Sequence, residues 1–190
     1  MDSAAVIAQV CERLARDGRE SAASFLRENY PFVARDAVER KYGVMEALRV
    51  FVRDGFVDRY SGSRLIFPGA LRLLSALLPE DFPFHPNWKM SQTHVAYWQL
   101  TPTVDHVTPV CLGGADSEEN WLTTSMLRNS AKANWTLEQL GWTVHPPGRL
   151  EEWDGQLSWF RTYIGRAPGI LEEVPGLRPW YRAAIALPVG

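Results

Sequence analysis

Two short strand-like runs, residues 103–107 (TVDHV) and 121–124 (WLTT), are joined by a loop carrying Pro109 and Gly113-Gly114, and a helical run over 125–134 follows at once. Few arrangements are open to such a strand–loop–strand–helix unit. Neighbouring strand residues point to opposite faces, and Pro109 ends the first strand because it cannot donate to a ladder. Thr124 or Ser125 is placed to cap the helix. Into this unit the chain puts Asp105-His106, Asn120, Asn129 and Lys132. Asn129 and Lys132 share a helix face. If the helix lies across the strands, Asn129 approaches Asp105. A carboxylate oxygen and an amide oxygen can then hold one hard cation, Mg2+ or Mn2+, with water and a phosphate completing its shell. Asp105 and His106 serve one site only if the strand ends or twists there, which Thr108-Pro109 allows. Imidazole titrates near neutrality and suits the deprotonation of water. Together these groups are the equipment of metal-assisted phosphodiester hydrolysis.

The remainder of the chain reads as mostly helical. Val6, Val10 and Leu14 give helical spacing over 3–16, Gly18 breaks it, and a second helix over 20–29 stops at Tyr30-Pro31. A third is expected over 35–52, with Val44, Leu48 and Phe51 on one side. In residues 53–69, Phe56-Val57 and Leu65-Ile66-Phe67 flank a Ser61-Gly62-Ser63 turn, a hairpin signature. Further helices are expected over 70–78, 90–100, 155–164 and 177–186, with a Pro-rich loop over 79–89. No run is long and apolar enough to span a bilayer, and residues 1–20 do not read as a signal peptide. Cys11 and Cys111 form no CxxC pair, so neither a disulfide framework nor a zinc ribbon can be built from them. The expected setting is a reducing bacterial cytoplasm.

Formal net charge is −2, so bulk charge supplies no affinity for nucleic acid. The basic surplus lies early: twelve Lys/Arg against ten Asp/Glu in residues 1–75, eight against twelve in 76–190. Arg49, Arg53, Arg59, Arg64 and Arg72 cluster around the hairpin in sequence. They are candidates for tracking a phosphate backbone or entering a groove, or are surface ion-pair residues. His94 reads either as a phosphate donor or as a packed helix histidine, and Lys132 either as a phosphate contact or as an exposed helix lysine.

Residues 103–142 resemble the HNH (ββα-metal) endonucleases. The shared features are Asp105-His106, Pro109, Gly113-Gly114, Asn120-Trp121, Asn129 with Lys132, and the tail TLEQLGW at 136–142. Upstream, RDGFVDRYSG resembles the hairpin that opens the zinc-stapled branch of that family. Asp58 and Ser61 stand where its first two cysteines would be, and Ser125 and Arg128 stand at the second pair. With all four zinc ligands replaced together, a rebuilt staple is expected in place of structural zinc: an Asp58–Arg128 ion pair with Ser61 and Ser125 around it.

The resemblance implies an α+β fold with a ββα-metal core over 53–142, carrying inserted helices at 69–102. A helical segment at 1–52 would precede it, for target reading, dimerisation or both, and a helical extension would follow at 143–190. It implies that Asp105 and Asn129 hold the metal, that His106 is the general base, and that Asn120 pins the loop and orients the base. Lys132, Arg59, Arg64 and His94 are the candidate DNA contacts. The implied activity is hydrolysis of double-stranded DNA to 5′-phosphate ends, as in a restriction or defence enzyme. The alternatives are a non-catalytic DNA-binding or assembly module of the same fold and a ribonuclease toxin.

Overall fold

The computed structural model describes residues 2–32 and 42–187, which fall into two compact units on either side of residues 33–41. The smaller unit is a helical hairpin, α1 (Ser3–Arg16) and α2 (Arg19–Asn29), turned at Gly18 with φ 84°. A left-handed residue costs glycine nothing. Val6 and Ala22 are buried between the helices, and the Arg13 guanidinium lies 4.4 Å from the Phe25 ring centroid.

The larger unit is an α+β assembly. It runs α3 (Val44–Arg53), α4 (Pro68–Leu77), α5 (Ala96–Leu100), β1 (Pro102–His106), β2 (Trp121–Ser125), α6 (Met126–Lys132), α7 (Leu137–Leu140), α8 (Leu157–Arg166), α9 (Ile170–Glu173) and α10 (Arg178–Ala186). Its sheet is the antiparallel pair β1–β2, with Pro102 opposite Ser125 and His106 opposite Trp121. One core gathers Leu48 and Phe51 of α3, Phe56, Phe67, Val104 of β1, Trp121 of β2, Phe160 and Ile164 of α8, and Ala184 of α10. Phe67 meets Phe56, Phe160 and Trp180 in edge-to-face contacts. Residues on both sides of position 52 belong to this core, and α8 and α10 of the segment 143–190 contribute to it. The part of the third expected helix over 35–41 lies outside the described residues.

Two expected elements take another form. The hairpin of 53–69 keeps its turn, with Asp58 N–H donating to Ser63 O at 2.8 Å, but its ladder is a single bridge, Val57 to Arg64. Distant segments claim the rest: Ile66 N–H donates to Leu100 O and Phe67 N–H to Gly155 O. The helix expected over 90–100 is interrupted after a 3-10 turn at Met90–Gln92. Buried Thr93 is extended there and accepts the His85 N–H on Oγ1, which ties it to the Pro-rich loop. Gly55 (φ 64°) lets the chain pass Gly148, whose backbone would lie 2.4 Å from a Cβ. Among the described residues, no helix is long and apolar enough to cross a membrane.

Candidate active site

Strand alternation and one short helix set the geometry. Asp105 and Thr103 leave β1 toward α6, whereas His106 meets Trp121, its partner across the ladder. Ser125 caps α6, its hydroxyl accepting the Arg128 N–H at 3.2 Å. The helix crosses β1 so that Asn129 meets Thr103 and Lys132 meets Asp105.

Lys132 is neither exposed nor available to a phosphate. It is 0% exposed, with Nζ 2.9 Å from Asp105 Oδ2 and donating to His106 O at 2.7 Å. This corrects both sequence readings of the residue. The Tyr60 hydroxyl donates to the same Oδ2 at 2.7 Å. Burial, then the neighbouring carboxylate, pushes the Tyr60 phenol far above its ordinary pKa, so it remains a donor. Asn129 spends Nδ2 on Thr103 Oγ1 (2.9 Å) and Val104 O (3.2 Å), which leaves its carbonyl oxygen to offer. Its nearest described partners are thus on the strand, not the Asp105 carboxylate.

His106 is 2% exposed. Its Nε2 lies 2.8 Å from Asp116 Oδ1, and the Trp121 indole N–H points at both atoms, 2.9 Å from Nε2 and 3.1 Å from Oδ1. Nε2 cannot both accept from Trp121 and face a carboxylate lone pair at that distance. The consistent tautomer carries its proton on Nε2, donated to Asp116, with the Trp121 N–H directed to the same carboxylate. Nδ1 is then a lone pair, and it is buried with no hydrogen-bond partner.

Asn120 clasps the loop between the strands. Its Oδ1 accepts the Thr108 N–H at 2.9 Å, and its Nδ2 donates to Thr108 O and Ala115 O, both at 2.8 Å. Gly114 is required beside it, because a Cβ there would meet Thr108 O at 2.0 Å. The clasp holds the loop that carries Asp116, and so the partner of His106.

Two buried aspartates tie the upstream turn to β2. Asp58 accepts from Tyr60 N, Thr124 Oγ1 and Ser125 N at 2.9–3.1 Å, and Arg128 Nε stands 3.9 Å from Oδ2. Ser61 Oγ accepts the Ser63 N–H. Asp54 accepts the Thr123 N–H at 2.7 Å and pairs with Arg59 at 2.8 Å. A cavity of about 390 Å3 opens at this staple, lined in part by Asp58, Ser61, Ser125, Arg128 and Trp142. Asp105 and His106 do not line it.

The other expected DNA contacts are largely spoken for. Arg59 is spent internally on Asp54 and on His145 O (2.6 Å), a second correction. Arg53 donates to Glu118 O and Trp121 O. His94 stacks on Phe82 at 4.6 Å and accepts the Ala96 N–H on Nδ1, the packed role. Arg64 is exposed, its guanidinium 5.2 Å from the Trp153 ring centroid. Asp116, Trp121, Tyr60, Asp54 and Thr103 were not anticipated from sequence as site residues. An acid ten residues after a histidine carries no fixed-spacing signal.

Among the described residues, no group of three or more His, Cys, Asp or Glu could hold a metal ion. Asp105 and the carbonyl oxygen of Asn129 are nonetheless hard donors on the α6 side of β1. With Nδ2 turned to the strand, Asn129 offers the atom that such a cation takes, so the donor set suits Mg2+ or Mn2+ with most of the shell left to water and substrate. Comparison of the chain with protein families, characterised proteins and solved structures gave no match.

Proposed function

We propose that the β1–β2–α6 unit is an HNH-type (ββα-metal) centre that hydrolyses phosphodiester bonds of double-stranded DNA. The observation that carries this reading is the state of His106: one ring nitrogen tied to Asp116, the other a buried lone pair with no partner. A nitrogen fixed in that form is what a general base needs, and burying it unpaired disfavours the fold unless it serves a purpose. In this reading Nδ1 takes a proton from the attacking water while Asp116 stabilises the imidazolium through Nε2–H. Asn120 keeps the loop, and with it Asp116, in place. Asp105 and Asn129 would hold Mg2+ or Mn2+. The bound cation would stabilise charge on the departing 3′ oxygen, leaving a 5′-phosphate. Tyr60 and Lys132 both fix the Asp105 carboxylate, through Oδ2.

Plasmid cleavage in Mg2+ and in Mn2+ tests the proposal. Activity should vanish with EDTA and fall by roughly 10²–10⁴ in His106→Ala with folding retained. Full activity in that variant would remove the base assignment. One observation favours the non-catalytic alternative: the buried Lys132 ammonium already balances the Asp105 charge. In that case no cation would produce nicking, while duplex binding would persist.

A further inference from the structure

A second recess lies against the same strand. A cavity of about 160 Å3 is walled by Trp88, Tyr97 and Trp180, by Arg72, and by Thr101 and Thr103, among others. It would hold about five waters at liquid density, which is the room of one small heterocycle. Its aromatic walls are fixed by edge-on contacts: Trp88 with Tyr97 at 5.7 Å and 89°, and Trp180 with Phe67 at 5.6 Å and 90°.

Two polar groups in this wall have no hydrogen-bond acceptor among the described residues. Thr101 is 8% exposed and its Oγ1, buried, makes no hydrogen bond. The half-buried Arg72 guanidinium meets no carboxylate among the described residues. It lies 3.5 Å from the Phe84 ring centroid, and burial lowers its pKa. A hydroxyl and a guanidinium without acceptors ask for a ligand that brings acceptors. The cation also disfavours a positively charged guest, which an aromatic cage would otherwise suit. What remains is a flat, neutral ring with an acceptor edge.

Position supplies the third argument. Thr103 lines the cavity, and its Oγ1 is the atom that receives Asn129 Nδ2. The recess therefore shares a wall with the candidate metal site, two strand residues from Asp105, or about 7 Å.

We propose that this cavity receives a single nucleobase, turned out of a nucleic-acid strand, and reads its acceptor edge with Arg72 and Thr101. Guanine fits best, because its O6 and N7 accept from one arginine fork. Aromatic walls with a few polar groups are how extruded bases are held. The source of the base rests on the nuclease reading; the base site itself does not.

The test has two arms, both on the full chain. In the first, saturation-transfer NMR is run with each of the four deoxynucleoside monophosphates. Transfer should fall on base rather than sugar protons and be strongest for dGMP. Arg72→Met, which keeps the stem, should weaken dGMP about tenfold and erase the preference. Thr101→Val, which removes the unpaired hydroxyl at constant shape, should weaken binding severalfold and melt no lower than the parent. No transfer at millimolar ligand, or transfer unchanged in both folded variants, overturns the proposal. In the second arm, His106→Ala binds duplexes with 2-aminopurine placed in turn beside each guanine of one strand, where extrusion of the guanine unstacks the probe. Emission should rise at one position and not in Arg72→Met. A duplex that binds without brightening anywhere also overturns the proposal. If the monophosphates bind as described but no duplex does, the base site stands and the DNA-nuclease reading falls.

Discussion

Replacing Lys132 by methionine tests the least expected contact in the molecule. The ammonium and the Asp105 carboxylate are 0% and 3% exposed and 2.9 Å apart. At an effective dielectric of about 20, two unit charges at that distance attract by about 6 kcal/mol. Desolvation consumes much of this, so the intact pair adds little net stability. Breaking it from one side is different, because the surviving charge stays buried. Lys132→Met should therefore cost about 3–5 kcal/mol, with the bond to His106 O lost as well. All eight tryptophans lie between residues 88 and 180, so indole emission during urea unfolding reports the larger unit alone. With a slope of about 2 kcal/mol per molar urea, the midpoint should fall by about 2 M. Asp105→Asn/Lys132→Met removes both charges and keeps an acceptor for the Tyr60 hydroxyl. Its cost should be smaller than that of Lys132→Met alone, near 1–2 kcal/mol. A loss under about 1 kcal/mol in Lys132→Met, or a double variant as unstable as the two single ones summed, would refute a buried, coupled pair.

The Asn120 clasp predicts an unusual order of severity. Asn120→Asp should destabilise more than Asn120→Ala, because it turns a carboxylate oxygen toward the carbonyls of Thr108 and Ala115; equal melting temperatures would count against the clasp. At the staple, Asp58→Ala strands three donors and should cost at least about 3 kcal/mol, whereas the longer, half-exposed Arg128 contact should be worth under about 1 kcal/mol. Paired urea titrations compare the two. Tyr60 and Tyr97 have raised phenol pKa values, chiefly through burial. The unfolded chain loses those protons first, near pH 10, so the stability they confer is intact below that pH and declines above it. The decline is about 1.4 kcal/mol per pH unit for each tyrosine. Alkaline unfolding followed at 295 nm should show the Tyr60 and Tyr97 phenols ionising only as the fold opens; loss of that late phase in the wild type, or its persistence unchanged in Tyr60→Phe and Tyr97→Phe, would contradict this.

How much of this was legible in the sequence divides along a physical line. Residues that answer to local rules could be read: the apolar spacing of α3, α4 and α8, the Ser125 cap, and the loop whose proline and glycines mark its turn. What could not be read depends on partners far away in the chain. The upstream turn has a hairpin's sequence, yet it lacks a ladder because the amides of Ile66 and Phe67 go to Leu100 and Gly155. Lys132 sits on a seven-residue helix with nothing local to mark it as buried; its partner is 27 positions back. The arginines mislead for a related reason. A guanidinium has five donors, and in Arg53, Arg59 and Arg161 they satisfy backbone carbonyls that a helical protein with a two-stranded sheet leaves unpaired. Arginine enrichment around the turn therefore records how its loops are held as much as what the surface binds. Arg72, half-buried and with no carboxylate partner among the described residues, carried no stronger signal in the sequence than its neighbours, and only the fold places it in the wall of the recess beside Thr103.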